Sequence, residues 1–392
     1  MQQNESRGAF ASARRIGDTV YVGLQNMAAT AHGKPIEDQT HHAFQSLVDA
    51  LQSQGLRMQD LMKLHTYYPY EGEGRDVTSY WERMTAVRLQ YLANPGPAAT
   101  ALRVSGMQPG GPLIGVDGIG VDPATPRRRI MPEHAWDWSI PTPFSQGWLV
   151  GDKVYVGGQI SADRKGKAVS PGELAPQVEN TLEFIRHVLL DAGAGWDDVA
   201  SIKVAYKCSG QDAASRATLH GILKQMEAVF PNRKPALVCF GVDLLYEGLL
   251  LEIDALAIKR PSRPLVIDGR DWAGRELGYP AAVQADRELC IAGQFAPGPA
   301  PLLAQLDASL DQVRQLLAMA DGSVGDLAKL NVYCDAAALA QAGADAYGQV
   351  QARLAAFLKP GRTVVSVVAV PGLLNAAAKV QVDGLAVLGQ PL

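Results

Sequence analysis

The chain repeats itself three times, and no other feature constrains its fold as much. Val20-Tyr21-Val22-Gly23-Leu24-Gln25 returns as Val154-Tyr155-Val156-Gly157-Gly158-Gln159 and again as Leu289-Cys290-Ile291-Ala292-Gly293-Gln294. Gln25 and Gln159 are 134 residues apart, and Gln159 and Gln294 are 135 apart. Fourteen residues before Leu24, Gly158 and Gly293 stand three aromatics, Phe10, Phe144 and Tyr279. Gln39, Gln177 and Gln305 each open a helical pattern. The first carries Phe44, Leu47, Val48 and Leu51 at i, i+3, i+4 and i+7, and the third keeps a similar stripe in Leu306, Leu310, Val313 and Leu317. Asp60, Asp198 and Asp326 follow, each leading into a β-type run; an acid there suits the first turn of a helix. A second amphipathic stretch and two apolar strands close each copy, as in residues 236–242 with 249–258 and 363–370 with 379–387.

Each copy therefore reads β-β-α-β-α-β-β, an α+β unit. The units span residues 1–122, 140–260 and 276–392. Proline-bearing joints over 123–139 and 261–275 read as extended connectors. Arg127-Arg128-Arg129 in the first joint reads as a solvated linker cluster rather than a nucleic-acid contact. With 36 basic against 40 acidic residues, the chain lacks the basic balance of a nucleic-acid binder. No apolar run of membrane-spanning length occurs, so no membrane partner is expected. The polar start and four cysteines without metal-type spacing lead us to expect a cytoplasmic protein with reduced thiols. No P-loop, GxGxxG loop or HExxH is present, so neither an organic cofactor nor a metal is expected.

The second copy resembles the RidA/YjgF-type reactive-intermediate deaminases. The resemblance rests on Phe144-Ser145-Gln146-Gly147, on residues 154–159, on Gln177 with Asn180, on Ala192-Gly193-Ala194, and on Leu251-Glu252-Ile253-Asp254-Ala255-Leu256-Ala257. The repeat brings the other two copies in. The family usually carries one such unit per chain, of chorismate-mutase-like fold, and assembles three around an axis with clefts at the seams. Three units on one chain imply an intrachain pseudo-trimer, with further association of such pseudo-trimers left open.

The resemblance also implies site residues. The family's carboxylate-gripping arginine is matched to Arg362 in Pro360-Gly361-Arg362-Thr363, while Leu237 and the Ala99/Thr100 region lack it. The family's water-positioning glutamate is matched by Glu252, with Gly115 and Gln381 standing at that position in the other copies. Cys239 matches a family cysteine, and His220 falls where the family often has asparagine. Tyr279 and Phe144 would wall the clefts, and Gly158 and Gly293 would offer backbone N–H groups to a ligand oxyanion. Each has a plainer reading beside it. Arg362 can be a surface charge, Glu252 a solvent-facing strand acid, His220 a structural histidine, Cys239 a core residue and the glycines strand bends. Two functions stay open. One is a cofactor-independent hydrolase of C=N or enamine bonds in a small carboxylated nitrogen compound, serving a dedicated catabolic or biosynthetic step such as a deamination or a ring opening. The other is a non-enzymatic ligand-binding or protein-interaction scaffold.

Overall fold

Alternating apolar and polar residues on short strands, and one-sided stripes on longer segments, leave each repeat only one way to bury its apolar surface: helices laid on one face of a mixed sheet. The computed structural model describes residues 10–27, 30–70, 75–108, 111–138, 140–267, 278–296 and 298–390. The first unit holds β1 (Ala13–Ile16), β2 (Thr19–Asn26), α1 (Ile36–Gln52), β3 (Leu61–Pro69), α2 (Arg75–Arg88), β4 (Ala98–Val104) and β5 (Gly115–Val121). The second holds β6 (Arg127–Ile130), β7 (Gly147–Val150), β8 (Lys153–Gln159), α3 (Leu174–Asp191), β9 (Val199–Lys207), α4 (Ala213–Met226), β10 (Ala236–Val242) and β11 (Leu251–Ile258). The third holds β12 (Ser262–Leu265), β13 (Ala282–Ala285), β14 (Glu288–Gln294), α5 (Leu302–Met319), β15 (Leu327–Asp335), α6 (Ala336–Gln341), α7 (Ala346–Phe357), β16 (Val364–Val370) and β17 (Val380–Val387).

The sheets run β1-β2-β5-β3-β4, β6-β7-β8-β11-β9-β10 and β12-β13-β14-β17-β15-β16. In each, the last two strands of that order are parallel, joined through a crossover helix, and the rest are antiparallel. The two joints do more than connect. β6 and β12 lie in them, and each adds an edge strand to the unit that follows. Part of the arginine run is used by the fold, since Arg127 pairs with Asp60 and Arg129 donates to Ser145 Oγ and the Phe144 carbonyl, while Arg128 and Arg129 remain solvent-exposed. The part of the second joint from residue 268 lies outside the described residues.

The repeated polar residues prove structural. The Gln39, Gln177 and Gln305 side chains are buried in the first turns of their helices. Each accepts from the backbone just before the unit's last strand, at Leu113, Leu250 and Lys379, and donates to a loop carbonyl. Asp60, Asp198 and Asp326 do not open an α-helix as their pattern suggested. Each accepts the backbone N–H three residues earlier, at Arg57, Gly195 and Ser323, and so closes a 3-10 turn before the strand.

The three units close into a ring. β4 packs on β8, β10 on β14, and β16 back on β2. The last seam is sealed by the chain's own start: the Ala11 N–H donates to the Thr363 carbonyl at 3.1 Å, and Arg14 donates to the Leu327 and Gly325 carbonyls. Among the described residues no helix is long and apolar enough to cross a membrane. A ring closed within one chain predicts that sedimentation or small-angle scattering at low concentration gives a compact particle of one chain's mass, or a whole multiple of it. An elongated profile of independently tumbling beads would be the contrary result.

Candidate active site at the first seam

Each seam sets the edge strand of one unit across the bulged second strand of the next. At the first seam Gly157 and Gly158 let β4 come close. A methyl group on Gly157 would fall 3.1 Å from the Ala99 carbonyl, and one on Gly158 would fall 1.9 Å from Glu252 Oε1. Gly158 is therefore the space in which the Glu252 carboxyl lies. Glu252 projects from β11, is buried, and accepts the Ala101 N–H of the neighbouring unit. Burial, then the nearby Asp254 charge, push its carboxyl up to about 8, against the opposing pull of the Ala101 N–H and Lys63. A cavity of about 10 Å³ touches Glu252, Thr100, Tyr67, Lys203 and Tyr333, room for about one water.

Aromatic rings wall the same seam. Phe144 stacks on Trp136 at 5.5 Å, and Trp138 meets Phe144 and Tyr246 at 6.0 Å and Trp81 at 5.5 Å. Both tryptophans lie in the joint before β7, so the segment read as a connector packs into the seam.

The second seam holds a different set. Gln381 stands where Glu252 stands in the first, and its amide donates to the Cys239 carbonyl at 3.1 Å. A methyl group on Gly293 would fall 2.6 Å from Gln381 Cδ, so this glycine too makes room for the side chain opposite. The Tyr279 hydroxyl and Gln381 Oε1 are buried with no hydrogen-bond partner. Cys239 is buried, and burial raises its thiol well above the usual range, which leaves it a protonated, poor nucleophile. The structure thus divides residues that the sequence grouped: Glu252 faces the first unit and Cys239 the third. His220 is exposed on α4, outside both seams.

Arg362 needs correcting. Ala98, Ala236 and Val364 open the equivalent strands β4, β10 and β16, so Val365 corresponds to Leu237 and Ala99. Arg362 stands two residues before β16, in the third seam, where its backbone carbonyl accepts from Arg14. The match on Pro-x-Arg slid by three residues, because the turn before β16 reaches its strand by a longer path after the proline. That seam carries no acid at the glutamate position: Gly115 stands there, and a methyl group on it would meet Met107 Sδ at 2.6 Å and Leu24 Cδ1 at 2.8 Å. No seam has an arginine at the family clamp position.

On the axis where the sheets meet lies a buried charge network. Asp117, Asp254 and Asp383 occupy one register position, opposite His65, Lys203 and Asn331. Lys63 Nζ lies 3.1 Å from Asp254 Oδ2, and Lys329 Nζ lies 2.6 Å from Asp117 Oδ1. His65 bridges Asp117 at 2.9 Å and Asp254 at 3.1 Å. Burial works against the Asp254 charge, but Lys63 and then His65 hold its carboxyl far below the usual range. Lys329 and His65 do the same for Asp117. A cavity of about 60 Å³ opens between these groups. Among the described residues, no group of three or more His, Cys, Asp or Glu is placed to hold a metal ion. The sequence reading missed this network. The recurrence of Asp117, Asp254 and Asp383 two residues after the glutamate position was the signal available.

A three-unit α+β ring with a polar axis and clefts at its seams is the class of protein this architecture defines. The family model described as Endoribonuclease L-PSP matches residues 139–259, the second unit. A RutC family protein of Pyrococcus abyssi is 31% identical over 117 residues, which cover 30% of this chain and 87% of that one. The 2-iminobutanoate/2-iminopropanoate deaminase of Bos taurus is 29% identical over 119 residues, covering 30% of this chain and 82% of that protein. Among solved structures, a chorismatase is similar at 16% identity and a TM-score of 0.48, over 62% of this chain and 76% of that one. The YjgF gene product of E. coli is similar at 25% identity and a TM-score of 0.29, over 34% and 99%. The chain belongs to the RutC, or RidA/YjgF, family.

Proposed function

We propose that this chain is a cofactor-independent hydrolase of C=N or enamine bonds that works from the first seam, with a small nitrogen compound as its partner. One observation carries the reading: Glu252 is a buried acid, pushed up to about 8, beside a water-sized cavity at the joint of two units. A carboxyl of that kind exchanges protons near neutrality. As carboxylate it takes a proton from water as the oxygen attacks the C=N carbon. As acid it gives that proton to nitrogen, which completes the carbinolamine; it then takes the carbinolamine's hydroxyl proton and passes it to the nitrogen as the C–N bond breaks, leaving a carbonyl compound and ammonia or an amine. The name of the bovine relative, an imine deaminase, supports the same chemistry.

The test is ammonia release from a panel of imines generated in situ. Glu252→Gln keeps the shape and the contact with the Ala101 N–H but cannot take the proton. It should lower kcat/KM by roughly 100- to 10,000-fold. In the wild type, kcat/KM should rise with pH around a midpoint near 8, because the base form is the one that attacks. Cys239→Ser and Arg362→Ala should retain most activity. Loss in Cys239→Ser with activity kept in Glu252→Gln would move the working site to the second seam. The scaffold reading draws on the clamp position, which is Ala99, Leu237 and Val365 in the three units. Its mark would be ligand binding without turnover across the panel.

A further inference from the structure

The three units can be compared position by position, because 138 residues separate Leu61 from Val199, Arg75 from Ala213 and Ala98 from Ala236, and 266 separate Leu61 from Leu327 and Ala98 from Val364. The inward face of α4 carries Leu219, Ile222, Leu223 and Met226, all buried. The equivalent face of α7 carries Tyr347, Val350 and Leu354, also buried. On α2 the same face reads Trp81, Met84, Thr85 and Arg88. The strand beneath differs likewise: Thr66 and Tyr68 stand where the other units have Val204 with Tyr206 and Val332 with Cys334.

At three of these positions, 66, 85 and 88, the first unit holds polar groups where its siblings hold apolar side chains, and at the fourth, 68, it holds a tyrosine as the second unit does; in the first unit all four are unmatched. Thr66 Oγ1, Tyr68 OH, Thr85 Oγ1 and Arg88 Nε and Nη1 are all buried without a hydrogen-bond partner among the described residues. The counterpart of Tyr68 is satisfied: Tyr206 donates to the Leu373 carbonyl. Arg88 is 2% exposed, and its burial pulls the guanidinium down to about 10. A buried cation with no counter-charge among the described residues is among the costliest features a core can keep, and methionine at the same place in the second unit shows that the fold does not need it.

The guanidinium N–H groups can only donate, and the three hydroxyls can donate as well. A ligand that carries negative charge and accepts at more than one atom satisfies them together. The place connects with the first seam. The Arg88 guanidinium lies 4.8 Å from the Trp81 ring centroid, and Trp81 stacks on Trp138. Tyr68 lies 5.5 Å from Trp81, and its hydroxyl feels both the Glu252 carboxyl and the Arg88 charge.

We propose that Arg88, with Tyr68 and Thr85, receives the carboxylate of a planar aromatic or ring-conjugated substrate whose ring lies against Trp81 and Trp138 and whose reacting carbon faces Glu252. This rests on the reading of the first seam as the working one. Arg88 takes from a helix the task that the strand arginine performs in the family, at the one seam that keeps the glutamate.

The experiment separates binding from turnover. Benzoate, benzamide and acetate are titrated calorimetrically into the wild type, Glu252→Gln and Arg88→Met. Benzoate should bind the wild type and Glu252→Gln with affinities within about threefold of each other. Arg88→Met should lose it by at least roughly 30-fold, the loss expected on removing one partner of a buried charge pair. Benzamide and acetate should bind the wild type at least tenfold more weakly, since each lacks either the charge or the ring. Arg88→Gln is the second variant, and should lose benzoate as well. Benzoate affinity unchanged in a folded Arg88→Met or Arg88→Gln, or no binding to the wild type at millimolar benzoate, would overturn the assignment. Arg88-dependent binding without ammonia release on the imine panel would leave it standing while rejecting the hydrolase reading.

Discussion

Asp254→Asn should be strongly destabilising, costing about 3–5 kcal/mol. The Asp254 carboxylate receives Lys63 at 3.1 Å, His65 at 3.1 Å and the Thr100 hydroxyl at 3.0 Å. Asparagine matches its shape but not its charge. Lys63, 4% exposed and held further by the Val156 carbonyl at 2.8 Å, would then be an uncompensated buried ammonium spanning the first seam. Denaturant unfolding near neutral pH should show the loss as a lower midpoint at unchanged slope. Adding Lys63→Met should recover most of it, because the replaced pair no longer leaves a charge behind. The sign with pH follows from the depressed carboxyl. Its contribution is present above the ordinary carboxylate range and is lost as pH falls toward the folded value. The deficit of Asp254→Asn should therefore shrink below about pH 4. A deficit that stays constant into strong acid would show that the network is not what Asp254 supports.

Glu252→Gln should do the opposite: stabilise the protein, and more so at high pH. The folded carboxyl titrates at about 8 against an ordinary 4.5, so folding favours its protonated form. Below about pH 4.5 the carboxyl is protonated in both states and its contribution is fully present. As pH rises the unfolded chain ionises first, and the contribution is gone once pH passes about 8. Glutamine has no such term. At one pKa unit to 1.36 kcal/mol, the gain of Glu252→Gln over wild type at pH 9 is on the order of 5 kcal/mol, falling to near zero by pH 4. Chemical unfolding at a series of pH values measures the gap directly. A variant less stable than wild type at pH 9 would mean that the folded protein prefers the ionised carboxylate, and Glu252 would then lose its place as a proton-exchanging group. Paired with lost ammonia release, the gain would show a site that trades stability for chemistry.

The two exchanges lie two residues apart on one strand, yet their signs differ. Position 254 faces the axis and pairs with its cations directly, whereas position 252 faces a neighbouring unit that gives it the Ala101 N–H and only the weaker, more distant pull of Lys63. The outer basin of about 570 Å³ at the hairpin end of the axis shows the same divergence. There equivalent turns bring Asp18, Asp152 and Arg287 to one rim, and Arg260 already pairs with Asp152. Symmetry of backbone with asymmetry of charge is what fusing three units into one chain permits and a homotrimer forbids.

The amino-acid sequence by itself determined the three units, their strand and helix order and the place of the glutamate, because these follow from local periodicity and from a repeat that any copy can confirm against the others. The family resemblance also located Glu252, Gln381 and Gly115 as equivalents, and the aspartate two residues after each of them on the unit's last strand agrees with that placement. Tertiary structure alone decided which residues share a site. A seam joins residues from different repeats, so Glu252 meets Ala101 and Thr100 while Cys239, thirteen residues away in sequence, meets Gln381. Arg362 went astray in the sequence for a related reason: a proline followed by an arginine marks a local pattern, but only strand pairing sets register, and register puts Val365 at the clamp position. Arg88 was unreadable for the opposite reason. An arginine in the last turn of a helix suits the helix dipole and solvent equally well, and only burial between α2 and β3, among donors without acceptors, turns it into a charge that awaits a partner.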